Sequence, residues 1–243
     1  MIGVVLAAGN GIRLKNSQNS QVCKPLIQVD HTPLIHFSLE NLRKLHIDRA
    51  CIVVGSEGDR IREAIGDNYQ GIAVTYATQQ EQKGLIHALM QAVIQASLDA
   101  PILLQLSDEI ILHLRSQDIE NTIQAGRVAF FCGVTREENP DKIRGNYAVT
   151  VQEDQTLHHC QEKPKVVTNV WKGTGFCYFS REAVALLKGS YCWETNQPRE
   201  LCDYLNLLVE SRYRGVALEI GQREFNINTA ADLAEAEAAL RQT

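Results

Sequence analysis

Residues 2–14 read IGVVLAAGNGIRL, an apolar run that leads into a turn of small residues and then an arginine. The apolar run predicts a buried β-strand over residues 2–6, and the turn begins where that strand ends. Glycines let the backbone turn tightly and bring its N–H groups against an anion, and the guanidinium of Arg13 suits phosphate oxygens. We therefore predict a phosphate-binding loop that contains Leu6, Ala7, Ala8, Gly9, Gly11 and Arg13.

Two better-known glycine loops do not fit this stretch. Leu14 stands where the dinucleotide-binding pattern Gly-x-Gly-x-x-Gly requires glycine, and no Gly-Lys-Ser/Thr follows to make a P-loop. An NAD-dependent dehydrogenase is further disfavoured because no acidic residue ends the second predicted strand. If the two glycines are taken alone, a tight turn without a ligand is the alternative interpretation.

The hydrophobic period alternates between that of strands and that of helices along the chain. Strands are predicted over residues 2–6, 50–54, 73–77, 102–106, 128–134, 147–151 and 173–179. Helices are predicted over residues 85–96, 199–210 and 230–241. This order predicts an α/β fold, a Rossmann-like three-layer arrangement with a mostly parallel mixed central sheet. Because no linker interrupts it, we expect residues 1–243 to form a single domain.

Charge and composition disfavour several other classes of protein. The chain has 24 Lys and Arg against 29 Asp and Glu, a net charge of −5 without a basic stripe, which disfavours binding to nucleic acid or anionic membranes. Its longest apolar run, at the start, is far shorter than the roughly 20 residues of a membrane span and lacks a basic leader, so we expect a cytoplasmic protein. The seven cysteines contain no Cys-x-x-Cys pair and are predicted to be mostly buried thiols.

Two charged residues are well placed for phosphate chemistry. Lys24 precedes a proline, which restrains its backbone to extended geometry. Asp108 follows the strand predicted over 102–106, and ligands of open α/β sheets bind at the carboxyl ends of strands. We predict that Asp108 holds Mg²⁺, which takes one or two protein carboxylates and substrate phosphates. The alternatives are a turn or N-cap role for Asp108, or Glu109 as the metal ligand.

A series of short motifs resembles the signature of the sugar-1-phosphate nucleotidylyltransferases. In chain order they are LAAGNGIRL at 6–14, KPL at 24–26, QQEQKGLIHAL at 79–89, LSD at 106–108, EKP at 162–164, TG at 174–175 and FNINT at 225–229. The resemblance therefore covers nearly the whole chain. It implies a Rossmann-like (GT-A-like) fold with a nucleotide-binding half, residues 1–126, and a sugar-phosphate-binding half, residues 127–243.

The resemblance also implies a reaction, in which a sugar 1-phosphate oxygen attacks the α-phosphorus of a nucleoside triphosphate to give a nucleotide sugar and pyrophosphate. A phosphate monoester has a second pKa of about 6, so it is anionic at neutral pH and needs no general base. The implied catalytic residues are Arg13 at the leaving β- and γ-phosphates, Lys24 near the α-phosphate, and Asp108.

The same resemblance assigns binding residues. Mg²⁺ would be held by Asp108 and Asn226, and because an amide oxygen is a weak ligand, the metal should bind chiefly as its complex with the triphosphate. Gln79 and Gly84 are implied at the nucleobase. Glu162, Lys163 and Thr174 are implied at the sugar phosphate.

Specificity is less determined than the reaction class. The spacing of Gln79 and Gly84 most resembles that of uridylyl and thymidylyl enzymes and favours a pyrimidine. Residues 225–233 resemble the guanylyltransferases of molybdenum cofactor synthesis, and cytidylyl relatives share most motifs, so a guanylyl- or cytidylyltransferase acting on a non-sugar phosphate is an alternative. Ala148 replaces a glycine of the family's sugar site, which leaves the sugar open. A catalytically weakened regulatory module is the other alternative, and the chain could form a homo-oligomer.

Overall fold

The computed structural model describes residues 1–9 and 23–242. Their strands are β1 (Ile2–Ala7), β2 (Gln28–Val29), β3 (Thr32–Pro33), β4 (Arg49–Val54), β5 (Asn68–Tyr69), β6 (Ile72–Thr78), β7 (Ile102–Leu106), β8 (Glu109–Leu112), β9 (Phe130–Arg136), β10 (Tyr147–Val151), β11 (Leu157–Glu162), β12 (Trp171–Phe179), β13 (Gly215–Glu219) and β14 (Arg223–Asn226). Their α-helices are α1 (Leu34–Lys44), α2 (Gly58–Ile65), α3 (Leu85–Gln95), α4 (Ser116–Gln124), α5 (Pro140–Arg144), α6 (Arg181–Ser190), α7 (Leu201–Glu210) and α8 (Ala230–Leu240).

The main sheet is mixed, with a parallel part and an antiparallel part. Strands β7, β1, β4 and β6 are adjacent and parallel, whereas β12 pairs antiparallel with β7 and leads to β10 and β11. A branch leaves this order at β12, which also pairs antiparallel with β9, and β9 in turn pairs with β13. One continuous sheet therefore joins the first part of the chain to the second through the pairing of β7 with β12.

Helices cover both faces of this sheet. Apolar residues of α3, α6 and α7 pack on one face, and those of α1, α2 and α4 pack on the other. Strand β1 contributes side chains to both faces: Val4 and Leu6 pack with α3, α6 and α7, whereas Val5 and Ala7 pack with α1, α2 and α4. Successive side chains of a strand point to opposite faces, so a strand covered on both sides needs apolar residues at every position. The predicted three-layer α/β/α fold is confirmed.

The predicted elements agree with the structure to within a few residues. The strand at 102–106 has the predicted bounds, and β9 begins two residues later than predicted, at Phe130. Helix α7 begins at Leu201 rather than at residue 199, because Glu200 and Asp203 form a capping box that sets its start.

Two further expectations concern the cysteines and the membrane. All seven cysteines are free thiols and six of them are buried, as predicted, whereas Cys192 is exposed. Within the described ranges, the structure contains no helix of the length and apolarity needed to cross a bilayer.

Candidate active site

A cavity of about 500 Å³ opens where β1, β6 and β7 end. From β1 the chain adds β4 and β6 on one side, and β7 then pairs on the other side of β1. The cavity therefore lies at the topological switch point, where open α/β sheets bind their ligands. We call it the cleft; the residues that line it are Leu6, Ala8, Gly9, Lys24, Pro25, Gln79, Gln82, Gly84, Leu85, Ala88, Leu106, Ser107, Asp108, Glu200 and Asn228.

An ion pair between Lys24 and Asp108 lies in the wall of the cleft. The Lys24 ammonium donates to Asp108 Oδ2 at 2.5 Å and to Asn228 Oδ1 at 3.2 Å. The lysine side chain is only 9% exposed, whereas that of Asp108 is 24% exposed. The carboxylate thus faces the cleft with its charge offset by a largely buried cation, an arrangement that suits the binding of a polyanion with its counter-ion.

Two asparagines extend this pair into a ladder of side-chain hydrogen bonds. Asn228 Nδ2 donates to Asn226 Oδ1 at 2.7 Å, and Asn226 Nδ2 donates to Asn146 Oδ1 at 3.1 Å. The side-chain oxygen Oδ1 of Asn226 is therefore turned toward Asn228 and away from Asn146. We call the series Lys24, Asp108, Asn228 and Asn226 the polar ladder.

The polar ladder exists because a two-stranded sheet brings distant parts of the chain together. Strand β8 pairs antiparallel with β14, and Asn226 lies opposite Glu109. The next residue, Ile227, donates its N–H to the carbonyl oxygen of Asp108 at 2.9 Å. Helix α8 packs on this small sheet through its own apolar cluster. The start of β8 and the end of β14 are thereby held side by side at the cleft.

The donor chemistry of the polar ladder fits Mg²⁺ that arrives with phosphate ligands. It offers a carboxylate and neutral amide oxygens, all of them hard oxygen donors of the kind that Mg²⁺ prefers. Among residues 1–9 and 23–242 there is no group of three or more His, Cys, Asp or Glu side chains that could hold a metal ion. The predicted ligands Asp108 and Asn226 are linked through Lys24 and Asn228. Asp108 lines the cleft, whereas Asn226 lines an adjoining cavity that shares Asn228 with it. Two protein ligands leave most of a coordination shell to be supplied by a bound molecule.

Asp108 and its neighbour Glu109 have different environments. Glu109 is 5% exposed, and both of its carboxylate oxygens accept from the Gly175 N–H, at 2.8 and 2.9 Å. Burial, together with the charges of Glu224 and Asp108, raises the pKa of Glu109 well above its ordinary value. The alternative of Glu109 as the metal ligand is therefore not supported, because its side chain is committed to the core.

The predicted base-binding residues lie in the loop between β6 and α3, residues 79–84, which we call the base loop. Gln79 is 5% exposed, and its Nε2 donates to the Gly84 carbonyl oxygen at 3.1 Å and lies 2.8 Å from His87 Nδ1. Gly84 has a φ of +97°, and a Cβ there would lie 2.7 Å from Arg199 Cγ and 2.9 Å from the Arg199 carbonyl oxygen. Only glycine is compatible with both the backbone angle and the close approach of Arg199.

A second segment, residues 191–200, packs over this loop. Asn196 Nδ2 donates to the Lys83 carbonyl oxygen at 2.5 Å, and Ile86 N–H donates to the Arg199 carbonyl oxygen at 3.0 Å. The segment ends at Glu200, which lines the cleft. Burial and, next, the charge of Glu162 raise the pKa of Glu200. The second part of the chain thus brings one carboxyl group, that of Glu200, to the cleft.

The predicted sugar-phosphate residues are not among those that line the cleft. Lys163 is 70% exposed and its ammonium lies 3.5 Å from Glu162 Oε1, so the two form an exposed ion pair at the end of β11. Lys163 N–H donates to the Asn146 carbonyl oxygen at 2.8 Å, which connects the pair to the polar ladder. Thr174 is 1% exposed and its hydroxyl donates to the Gly133 carbonyl oxygen at 3.0 Å. The structure does not bring the Thr174 side chain to the cleft.

Most of the other predicted residues come together in one place. Leu6, Ala8 and Gly9 line the cleft, and Ala7 lines a small cavity next to it. Gly11 and Arg13 lie outside the described residues. Sequence reasoning missed Gln82, whose side-chain amide donates to the Ala8 carbonyl oxygen and so connects the base loop to the chain that follows β1. It also missed Glu200, although an acidic residue just before an apolar helical run is a recognisable N-cap signal.

Comparisons with known proteins place the chain among the nucleotidyl transferases. The chain matches the family model described as nucleotidyl transferase over residues 2–242. The UTP–glucose-1-phosphate uridylyltransferase AglF of Haloferax volcanii is 29% identical over 246 residues, covering 100% of this chain and 97% of that protein. The D-glycero-alpha-D-manno-heptose 1-phosphate guanylyltransferase of Aneurinibacillus thermoaerophilus is 24% identical over 163 residues, 67% of this chain and 68% of the relative.

A solved structure shows the same fold. The crystal structure of a UDP-glucose pyrophosphorylase complexed with UDP-glucose superposes with a TM-score of 0.82 at 17% identity, over 99% of this chain and 98% of that one. At this identity the likeness concerns the fold.

Proposed function

The chain belongs to the nucleotidyl transferase family, and we propose that it transfers a nucleotidyl group from a nucleoside triphosphate to a sugar 1-phosphate, releasing pyrophosphate. The observation that carries the proposal is the ion pair of Lys24 and Asp108, the part of the polar ladder that lines the cleft with Asn228. A cation and a carboxylate there face a cavity whose other wall holds the base loop with Gln79 and Gly84. This pairing of a phosphate-chemistry group with a base-reading loop at one switch point is what a nucleotidyl transfer requires.

The chain's own groups would act mainly by charge and position. The acceptor phosphate is already anionic at neutral pH, so no side chain has to remove a proton from it. The barrier comes from bringing anions together and from charge that develops on the oxygens around the α-phosphorus. The Lys24 ammonium, held by Asp108 and Asn228, is preorganised for that charge, and Arg13 is proposed to bind the leaving β- and γ-phosphates.

We propose Mg²⁺ as the cofactor, with Asp108 and Asn226 as its protein ligands. The ion would supply charge neutralisation and alignment of the phosphate oxygens. The Asn228 side chain donates to Asn226 Oδ1, the proposed metal-binding atom, and accepts from the Lys24 ammonium. It therefore orients both groups together. Since both proposed ligands are already hydrogen-bonded within the polar ladder, free metal has little to gain without a triphosphate.

A uridine nucleotide and a hexose 1-phosphate are the proposed substrates. The relative that matches this chain end to end is named a UTP–glucose-1-phosphate uridylyltransferase. The spacing of Gln79 and Gly84 most resembles that of uridylyl and thymidylyl enzymes, which supports a pyrimidine nucleotide. Glu162 and Lys163 are proposed to contact the sugar hydroxyls and the sugar phosphate, because the Asn146 carbonyl oxygen holds their turn beside the polar ladder.

A panel assay tests the proposal. The protein is incubated with Mg²⁺ and each of UTP, dTTP, CTP, GTP and ATP against several sugar 1-phosphates, and pyrophosphate is followed. We expect release that depends on both substrates and is fastest with UTP and glucose 1-phosphate. Without the sugar phosphate the rate should fall to background. The absence of pyrophosphate with every pair, from folded protein, would contradict the proposed reaction.

A further inference from the structure

His87 occupies a position behind the base loop. It lies on α3, is 6% exposed, and contacts amide groups through both ring nitrogens. Gln79 Nε2 is 2.8 Å from His87 Nδ1, and Gln91 Nε2 is 3.2 Å from His87 Nε2. The Trp193 ring meets the imidazole edge to face, with centroids 5.6 Å apart. The proposed reaction gives this histidine no role.

The ring can accept a hydrogen bond from only one of the two glutamines. A neutral imidazole has one N–H and one lone pair, and an imidazolium has no lone pair. The Gln79 contact is shorter and buried, and the same Nε2 also donates to the Gly84 carbonyl oxygen at 3.1 Å, which defines the orientation of that amide. The Gln91 contact is longer and borders an open cavity of about 400 Å³. His87 Nδ1 is therefore the acceptor for Gln79, and Nε2 carries the proton.

This assignment decides which end of the Gln79 amide a ligand meets. Both protons of Nε2 are used, one by Gly84 and one by His87. No described residue donates to Gln79 Oε1, and Gln79 lines the cleft. Oε1 is therefore the atom that the side chain offers, and it is an acceptor only. Gly84 also lines the cleft, and no residue in the described ranges accepts from its N–H.

We propose that His87 is a positioning residue for nucleobase selection, which acts by holding Gln79 so that the cleft presents a hydrogen-bond acceptor beside the Gly84 N–H donor. The inference rests on the proposed function. Uracil, thymine and guanine carry a ring N–H next to a carbonyl oxygen and match this donor and acceptor pair. Cytosine and adenine carry an amino group next to a bare ring nitrogen, which is the reverse pattern.

The charge state of His87 is consistent with this role. Burial and, next, the charge of Lys83 lower its pKa, although Glu81 opposes the shift. The lowered pKa favours the neutral ring, which has the lone pair that Gln79 needs. A protonated ring would turn an N–H toward the Gln79 amide nitrogen and would oppose the observed orientation.

The first experiment reads the tautomer directly. Long-range ¹H–¹⁵N correlation spectra of the wild-type protein, with His87 assigned by the loss of its signals in His87→Asn, report which ring nitrogen carries the proton. We expect the Nε2–H form at pH 7. The Nδ1–H form or a charged ring would overturn the proposal. This measurement does not depend on activity or on the stability of a variant.

The second experiment measures selection by calorimetry with Mg²⁺ and UTP or CTP. Wild type should bind UTP more tightly than CTP, and His87→Leu should reduce that preference by about tenfold, since a hydrogen bond that holds one amide orientation is worth about this factor. His87→Asn places an amide oxygen near the Nδ1 position and should restore the preference. Gln91→Ala, on the other ring nitrogen, is the matched control and should retain it.

The outcomes separate this inference from the proposed function. If His87→Leu keeps the full preference while wild type binds UTP, the inference fails and the proposed function stands. If UTP binds selectively and His87→Leu reduces that preference, but no sugar phosphate yields pyrophosphate, the proposed function fails and the role of His87 stands. If no triphosphate binds to folded protein, both fail.

Discussion

Replacing Lys24 by methionine removes the one cation of the polar ladder while keeping most of its packing. The lysine side chain is 9% exposed and its ammonium lies 2.5 Å from Asp108 Oδ2 and 3.2 Å from Asn228 Oδ1. Methionine fills the same space with a flexible apolar chain, so the change tests charge rather than shape. The variant leaves Asp108 without its ion-pair partner at the edge of the cleft.

The expected effect on turnover is large. Removal of one preorganised donor at developing charge costs about 2.7–4 kcal/mol, which corresponds to a loss in kcat of about 10²- to 10³-fold. The effect on folding should be smaller, about 1–2 kcal/mol, because the Asp108 side chain is 24% exposed and water can solvate the carboxylate left behind. We therefore expect a large decrease in kcat, a smaller change in KM for the triphosphate, and a cooperative thermal transition a few degrees lower.

Pyrophosphate release under saturating substrates measures kcat, and thermal unfolding measures stability in parallel. The matched control is Lys142→Met, which breaks an ion pair of similar length, 2.6 Å to Glu235, at a lysine that does not line the cleft. Lys142→Met should keep the wild-type rate. If Lys24→Met is folded and keeps kcat within about tenfold of wild type, the reasoning about transition-state charge is refuted.

A double variant separates two roles for Lys24. If the lysine served only to hold Asp108, Lys24→Met combined with Asp108→Asn would be no slower than the slower single variant. If each group meets the phosphates directly, the losses should approach additivity in free energy. We expect near additivity, because Asp108 faces the cleft and the ammonium is also held by Asn228.

Three further predictions concern other parts of the site. Gly84→Ala should weaken UTP binding measured by calorimetry by about tenfold or more, because a Cβ meets Arg199, whereas Gly71→Ala, with a similar φ of +95° and open space, should share only the backbone strain of about 1 kcal/mol. Burial raises the pKa of Glu109, so the folded protein keeps a proton that the unfolded chain releases above about pH 4.5, and the free energy of unfolding should fall as the pH rises. Glu109→Gln removes this titration and should make the fall between about pH 5 and 7, measured by urea titration, smaller than in the wild type. An equal fall in both proteins would refute the prediction. Calorimetry should detect little Mg²⁺ binding without a triphosphate, and tight binding to the free protein would contradict the proposed metal site.

The order of elements and the strand-end residues could be predicted from the sequence. Periods of two and 3.6 are local properties of neighbouring residues, so β1, β7 and α3 were found with nearly their observed bounds. Asp108 can be predicted because the polar pair Ser107 and Asp108 follows an apolar run and so marks the end of a buried strand. The motif series also indicated Lys24 and Asn226, although not the contact that unites them through Asn228.

Neighbouring residues along the chain therefore indicate which positions are polar, where each strand ends and which family the motifs resemble. They could not reveal that β8 pairs with β14, that residues 191–200 cover the base loop, or that Glu109 is buried while Asp108 faces the cleft. These facts depend on strand pairing and helix packing between segments far apart in the chain. Such pairing selects which of two adjacent carboxylates meets the core, and no local pattern of charge or hydrophobicity encodes that choice.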